Sequence, residues 1–341
     1  AIDQIKIPKN VNKSNFFEAN LLSTLDSFKK KNYKQVSKRL KKLEIYQDQG
    51  TYQFIIYKTL YDYNQIFLNK KILPVNDNFG KLGIITNAFQ SCYLNPKKIN
   101  SNFINLINIK DGDYSRYLFF YLSNVIENKE YEIANEVAST IEPLSSTLLI
   151  NQAKNWIENK KYKKFKSYFS CKKETDVLAE FFFLISNLFS SQDAYKESNF
   201  YLRISNFLNP KFYFNLSLLV ENYFLDENYE VSTEILKNFN NKDEIYEWYK
   251  TKKIAQILVK KESEKIALNY VEKKFNSIEN PSVKIIYDMA NFYKKFKQHE
   301  KAIKYYSILL SKLNKKSISY ADVLYRRGGS YERLNRHYES D

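Results

Sequence analysis

A chain of 341 residues with 44% hydrophobic side chains has ample material for a core, in two or three domains or one elongated array. Six Gly and six Pro are too few breaks for a many-turned β protein. The net charge of +16 invites a nucleic-acid or membrane-surface role, but 47 of the 54 basic residues are Lys and seven are Arg. Arg is the usual reader of bases, and the Lys, Asn, Ile, Tyr and Phe excess matches an A/T-rich coding bias, so charge alone carries no function.

In chain order, residues 1–13 read as an extended segment. Residues 14–115 read as irregular helix pairs, with one early phrase, "YKQVSKRLKK" from Tyr33. Two loops interrupt them, "KKILPVNDNFGKLG" (Lys70–Gly83) and "NIKDGDYS" (Asn108–Ser115). "NDNFG" and "KDGDY" within them hint at calcium loops. Neither reaches the glutamate that completes a twelve-residue ligand set, so turn chemistry explains both. Residues 116–315 carry the same phrase in near-constant register: a start residue, a small residue three steps on, then a helical apolar stripe. Copies start at Tyr131, Tyr162, Tyr195, Tyr229, Glu264 and His299, with separations of 31, 33, 34, 35 and 35 residues. The positions three steps on are Val36, Ala134, Phe165, Ser198, Ser232, Ala267 and Ala302, with Ser340 in a last copy from His337. Small residues there let two helices approach closely. Each unit therefore reads as helix–turn–helix, and units must stack to bury what one alone leaves exposed.

The copy from Ser282 to Asn314 carries Met289–Ala290, Tyr293, Ala302, Tyr306 and Leu309. With five copies in register, the chain resembles the tetratricopeptide repeats. The resemblance implies an all-α, right-handed solenoid of stacked helix–turn–helix repeats. The C-terminal half also resembles longer bacterial helical-repeat proteins, which favours an exported over a cytoplasmic place.

"YADVLYRRGGSYERLNRHYES" continues the register. Gly328 falls on Ala290 and Ala255, and Tyr331 on Tyr293, so the Arg-Arg-Gly-Gly stretch belongs inside a helix. A phosphate loop would need a preceding strand. Arg327 stands where the family has an apolar residue. Residues 316–341 then form an incomplete repeat, and the chain reads as a fragment.

Chemistry is sparse. His299 and His337 are equivalent positions of successive repeats, expected at exposed helix starts. Cys92 and Cys171 lack metal-ligand spacing and read as buried small hydrophobes, with pairing left open. "FFFLISNLF" (Phe181–Phe189) is about half a membrane span. Tyr162, Phe165 and Phe169, amid lysines, have helical spacing and are expected in the core. No cofactor, metal or catalytic set is expected. By resemblance, the first helices line a concave groove for a peptide or partner protein. The residues placed there are Lys252, Lys253, Gln256 and Lys260, then Tyr287, Asn291, Lys294 and Lys295, then Tyr325, Arg326 and Arg333. This basic set suits an acidic or C-terminal carboxylate ligand. Gln256, Asp288 and Asp322 depart from the family's carboxylate-gripping pattern, which argues against a chaperone-tail receptor. The expected function is a non-catalytic protein-interaction scaffold, with a helical-repeat nucleic-acid binder as the alternative.

Overall fold

The computed structural model describes residues 14–74, 79–98, 101–109, 114–239 and 243–339, and these are all-helical, with no strand among them. The elements are α1 (Phe17–Lys29), α2 (Tyr33–Glu44), α3 (Thr51–Asn69), α4 (Lys81–Leu94), α5 (Ser101–Ile107), α6 (Arg116–Glu127), α7 (Tyr131–Thr140), α8 (Leu148–Glu158) and α9 (Lys163–Tyr168). They continue with α10 (Glu174–Ser190), α11 (Tyr195–Leu208), α12 (Phe214–Leu225), α13 (Tyr229–Leu236), α14 (Glu244–Lys261), α15 (Glu264–Asn276), α16 (Val283–Lys295), α17 (His299–Lys312) and α18 (Ile318–Glu332). The stretch holding Gly328 and Gly329 lies within α18, so it is helical, and a short 3₁₀ turn at His337–Glu339 follows. Most of the two calcium-like segments, and Ser340, fall outside the described residues.

The repeated phrase marks helix starts. Tyr33, Tyr131, Tyr195, Tyr229, Glu264 and His299 each open a helix, Tyr162 immediately precedes α9, and His337 opens the 3₁₀ turn. The residues three steps on, from Val36 to Ala302, are all at most 1% exposed, as close helix packing demands.

A backbone device recurs in the same register. Lys31, Lys129, Lys160, Asp193, Glu227, Lys297 and Asn335 all adopt left-handed φ between 53° and 67°. Each stands two residues before a copy of the phrase. The following N–H closes onto the carbonyl five residues back, as in Gln298 N–H to Tyr293 O at 2.8 Å and Arg336 N–H to Tyr331 O at 3.0 Å. That is the Schellman helix stop, which satisfies orphan carbonyls and reverses the chain. Glycine is its usual occupant, yet this chain uses Lys, Asp, Glu and Asn. Serines cap three other helices, α15, α16 and α18, where Ser263, Ser282 and Ser317 accept from Ile266, Ile285 and Tyr320 N–H.

The chain divides into two compact units. The first comprises Ala1–Glu136 and Asn155–Ile235. Its core is aromatic: Phe89, Phe103, Phe119, Phe120, Phe165, Phe169 and Phe212 are buried and meet ring to ring. Phe165 and Phe169 thus lie in the core as expected, while Tyr162 is only half-buried. Cys92 and Cys171 are buried and joined in a disulfide, with Cα atoms 5.6 Å apart. The open question of their pairing is answered by packing between the end of α4 and the turn before α10. Arg116 donates twice to the buried Glu180, at 2.6 and 2.7 Å, and once to Asn215. Burial raises the Glu180 pKa, opposed by Arg116. α1 packs on α10 and α11, and Lys29 Nζ donates to Phe207 O at 2.9 Å.

The second unit comprises Val137–Lys154 and Leu236–Asp341. Its core runs through Trp248, Ala255, Ala267, Val271, Ile285, Met289, Ala290, Tyr293, Ala302, Tyr306, Leu309 and Val323, with Leu144 from the first segment. Ala255, Ala290 and Gly328 are buried, as small residues at helix crossings.

Candidate partner-binding site

In the second unit, α14, α16 and α18 carry the residues expected to line a groove. Five of the eleven, Lys252, Tyr287, Asn291, Lys294 and Arg326, take part in polar contacts linking one helix to another. Lys252 Nζ donates to Asp288 Oδ2 at 2.8 Å, where the Trp248 indole N–H also donates at 3.0 Å. Lys284 Nζ lies 3.4 Å from the other oxygen, Asp288 Oδ1. Tyr287 donates its hydroxyl to Asp322 Oδ2 at 2.6 Å, and Arg326 Nε donates to the same oxygen at 2.9 Å. Asn291 Oδ1 accepts from the Tyr306 hydroxyl at 2.7 Å, and Lys294 Nζ reaches Arg326 O at 3.4 Å.

These contacts set the protonation behaviour. Burial pushes Asp322 upward, but hydrogen bonds from Arg326 and Tyr287 outweigh it and hold the carboxyl below its usual range. Burial, reinforced by the hydrogen bond to Asp322, pushes Tyr287 up to about 12. Lys294 is depressed by burial and by the nearby Arg326 and Arg333 charges. Lys284 is depressed by burial and by Lys252 and Arg326, with Asp288 opposing.

The expected groove residues therefore separate into two sets. Lys252, Tyr287, Asn291, Lys294 and Arg326 join helices to one another, and Tyr287 is buried rather than outward-facing. Lys260, Lys295, Tyr325 and Arg333 are exposed, and Tyr325 is 82% exposed. Gln256 is half-buried. Lys253 is only 6% exposed, so it lies off an outward face; neighbours i and i+1 on a helix point about 100° apart. Asp288 and Asp322 neutralise part of the expected basic surface. Sequence register located them as departures from a family pattern, but helix-to-helix pairing was invisible without a fold.

His299 opens α17 half-buried, and burial with Arg333 and Lys294 lowers its pKa. Arg327 donates to Ser307 Oγ at 3.2 Å, which explains a cation at an otherwise apolar position. Beside the pairs lies a recess of about 150 Å³ lined by Leu148, Trp248, Tyr249, Lys252, Lys284 and Asp288, among others. Among the described residues no cluster of three His, Cys, Asp or Glu could hold a metal, and no helix is long and apolar enough to cross a membrane. Compared with known protein families and with curated proteins, the chain matches none.

Proposed function

We propose that the chain is a tetratricopeptide-like helical solenoid that acts as a non-catalytic scaffold, holding an acidic protein or peptide against α14, α16 and α18. Three regularities support the repeat reading: helix starts in register, buried residues three steps on, and Schellman stops two steps before. The observation that carries the function is the exposed set Lys260, Lys295, Tyr325 and Arg333, on helices whose other polar residues already hold one another in place. Helices tied together in this way hold their exposed charges at set spacings, with little backbone left to order on binding. The Cys92–Cys171 disulfide supports an oxidising compartment, and so export.

A second reading rests on the first unit. Tyr131 and Tyr162 stack with centroids 4.3 Å apart, beside a recess also lined by Lys160, Lys161, Lys163 and Lys164. Stacked tyrosines among lysines suit single-stranded nucleic acid. Affinity capture from cell extract, with and without nuclease, separates the two. The scaffold reading expects a discrete protein that survives nuclease and is lost when Lys260, Lys295 and Arg333 are changed to Glu. Capture abolished by nuclease, with a steep fall in affinity as salt rises, would replace it with the nucleic-acid reading.

A further inference from the structure

The recess in the second unit combines two ammonium groups, one carboxylate and an apolar wall. Ile245, Trp248, Tyr249, Ile285 and Leu148 supply the wall. Asp288 is buried, and both its oxygens are engaged: Oδ2 by Trp248 and Lys252, Oδ1 by Lys284. An ammonium group has three N–H donors. Lys252 spends one on Asp288, while Lys284 spends one there and one on Leu144 O at 2.9 Å. Two cations against one anion leave the recess with one net positive charge and unspent donors. A half-buried site of that sign favours a monoanion over water or a neutral solute, because Coulomb attraction is poorly screened there.

Size narrows the ligand further. A volume of about 150 Å³ equals the liquid share of roughly five water molecules. That holds a carboxylate and a stem of two or three carbons, with the stem on the Trp248 and Ile285 surfaces.

We propose that this recess binds a carboxylate on a short apolar stem, held between Lys252 and Lys284. Two sources carry that chemistry: a free short-chain monocarboxylic acid, and a glutamate side chain of a bound partner. The second rests on the scaffold reading, since the recess adjoins α14 and α16; the first does not.

Titration of the full chain with butanoate, and separately with N-acetylglutamate amide, followed by calorimetry and NMR, tests the proposal. Saturable binding of either is expected, with a dissociation constant on the order of 1 mM, the range open to about six non-hydrogen atoms. Butanoate alone binding identifies a free acid as the source. N-acetylglutamate amide alone binding identifies a partner side chain. Lys252→Met and Lys284→Met should each weaken binding at least tenfold. Asp288→Asn, which keeps the shape and removes the competing charge, should tighten it several-fold. That gain of function guards against a variant that merely unfolds. Binding of neither probe, equal binding of butanamide, or unchanged affinity in Lys284→Met would overturn the proposal. Partner capture unchanged when Lys260, Lys295 and Arg333 become Glu, while the recess still binds butanoate, would sink the scaffold reading alone.

Discussion

Tyr287 and Asp322, 35 residues apart in sequence, meet at 2.6 Å and join α16 to α18. Arg326 Nε donates to the same oxygen at 2.9 Å and to Oδ1 at 3.1 Å, so Asp322 is a shared acceptor for α16 and α18. The link repeats one step earlier, where Asp288 on α16 accepts from Trp248 and Lys252 on α14.

Tyr287→Phe should therefore cost about 1 kcal/mol, a value kept low because the Asp322 side chain is 37% exposed. Thermal unfolding measures it. The pH dependence has a definite sign. The Asp322 carboxyl is held below its usual range in the folded state, so its contribution is present above the unfolded carboxylate pKa, about 3.9. It is lost as pH falls through the folded value. Tyr287→Phe should shrink that acid loss, and an unchanged acid limb would refute the assignment.

The disulfide closes a separation of 79 residues. Loop-closure entropy sets its stabilisation at about 4 to 5 kcal/mol. Reduction, or Cys92→Ala with Cys171→Ala, should lower the melting temperature of the first unit by roughly 8 to 20 °C. Calorimetry with and without reductant reads this directly. Equal melting in both would show that the pair does not form in solution.

Asp176 behaves oppositely to Asp322. Burial pushes its carboxyl up to about 6, against Lys173 and the Ser170 N–H. The folded state then holds the proton more tightly than the unfolded chain, so stability from this group is present below about pH 4 and lost as pH rises towards 6. Asp176→Asn keeps an acceptor for Ser170 N–H and should stabilise the protein at pH 7, by at most about 3 kcal/mol. The same change should flatten the stability profile between those values. A destabilised variant at neutral pH would contradict this.

Lys297 occupies the left-handed stop between α16 and α17, with φ of 59°. Glycine adopts that conformation without Cβ strain, so Lys297→Gly should stabilise by about 0.5 to 1 kcal/mol. Gly329 is the converse case. Inside α18 an added Cβ would lie 3.5 Å from Lys294 Nζ, an ordinary contact. Gly329→Ala should also gain about 0.5 to 1 kcal/mol, by helix propensity. Chemical denaturation of both variants tests the pair, and a loss in either would contradict the stated cause.

The helix starts were legible in sequence because a start residue, a small residue and a stripe leave three marks at fixed spacing. The stops were not, because sequence readers look for Gly and Lys31, Lys129, Lys160 and Lys297 stand there instead. The disulfide was also hidden, since spacing of 79 residues says nothing about which helices meet. At the candidate site, the residues expected from register fall on or next to α14, α16 and α18, but Lys253 and Tyr287 are buried rather than outward-facing. A one-residue step on a helix turns a side chain from solvent to core, and only the neighbours decide which side is which.

The contact of α1 with α10 and α11 bears on how the first unit assembles. Lys29 and Phe207 lie 178 residues apart, so their meeting needs most of the unit to be in place. Contacts of such high sequence separation slow folding, because the loop must close before anything repays it. The second unit, apart from its short first segment, joins mainly neighbours along the chain. Ribosomal synthesis would then leave α1 waiting for α10 and α11, with its apolar face open to holdase chaperones until they emerge.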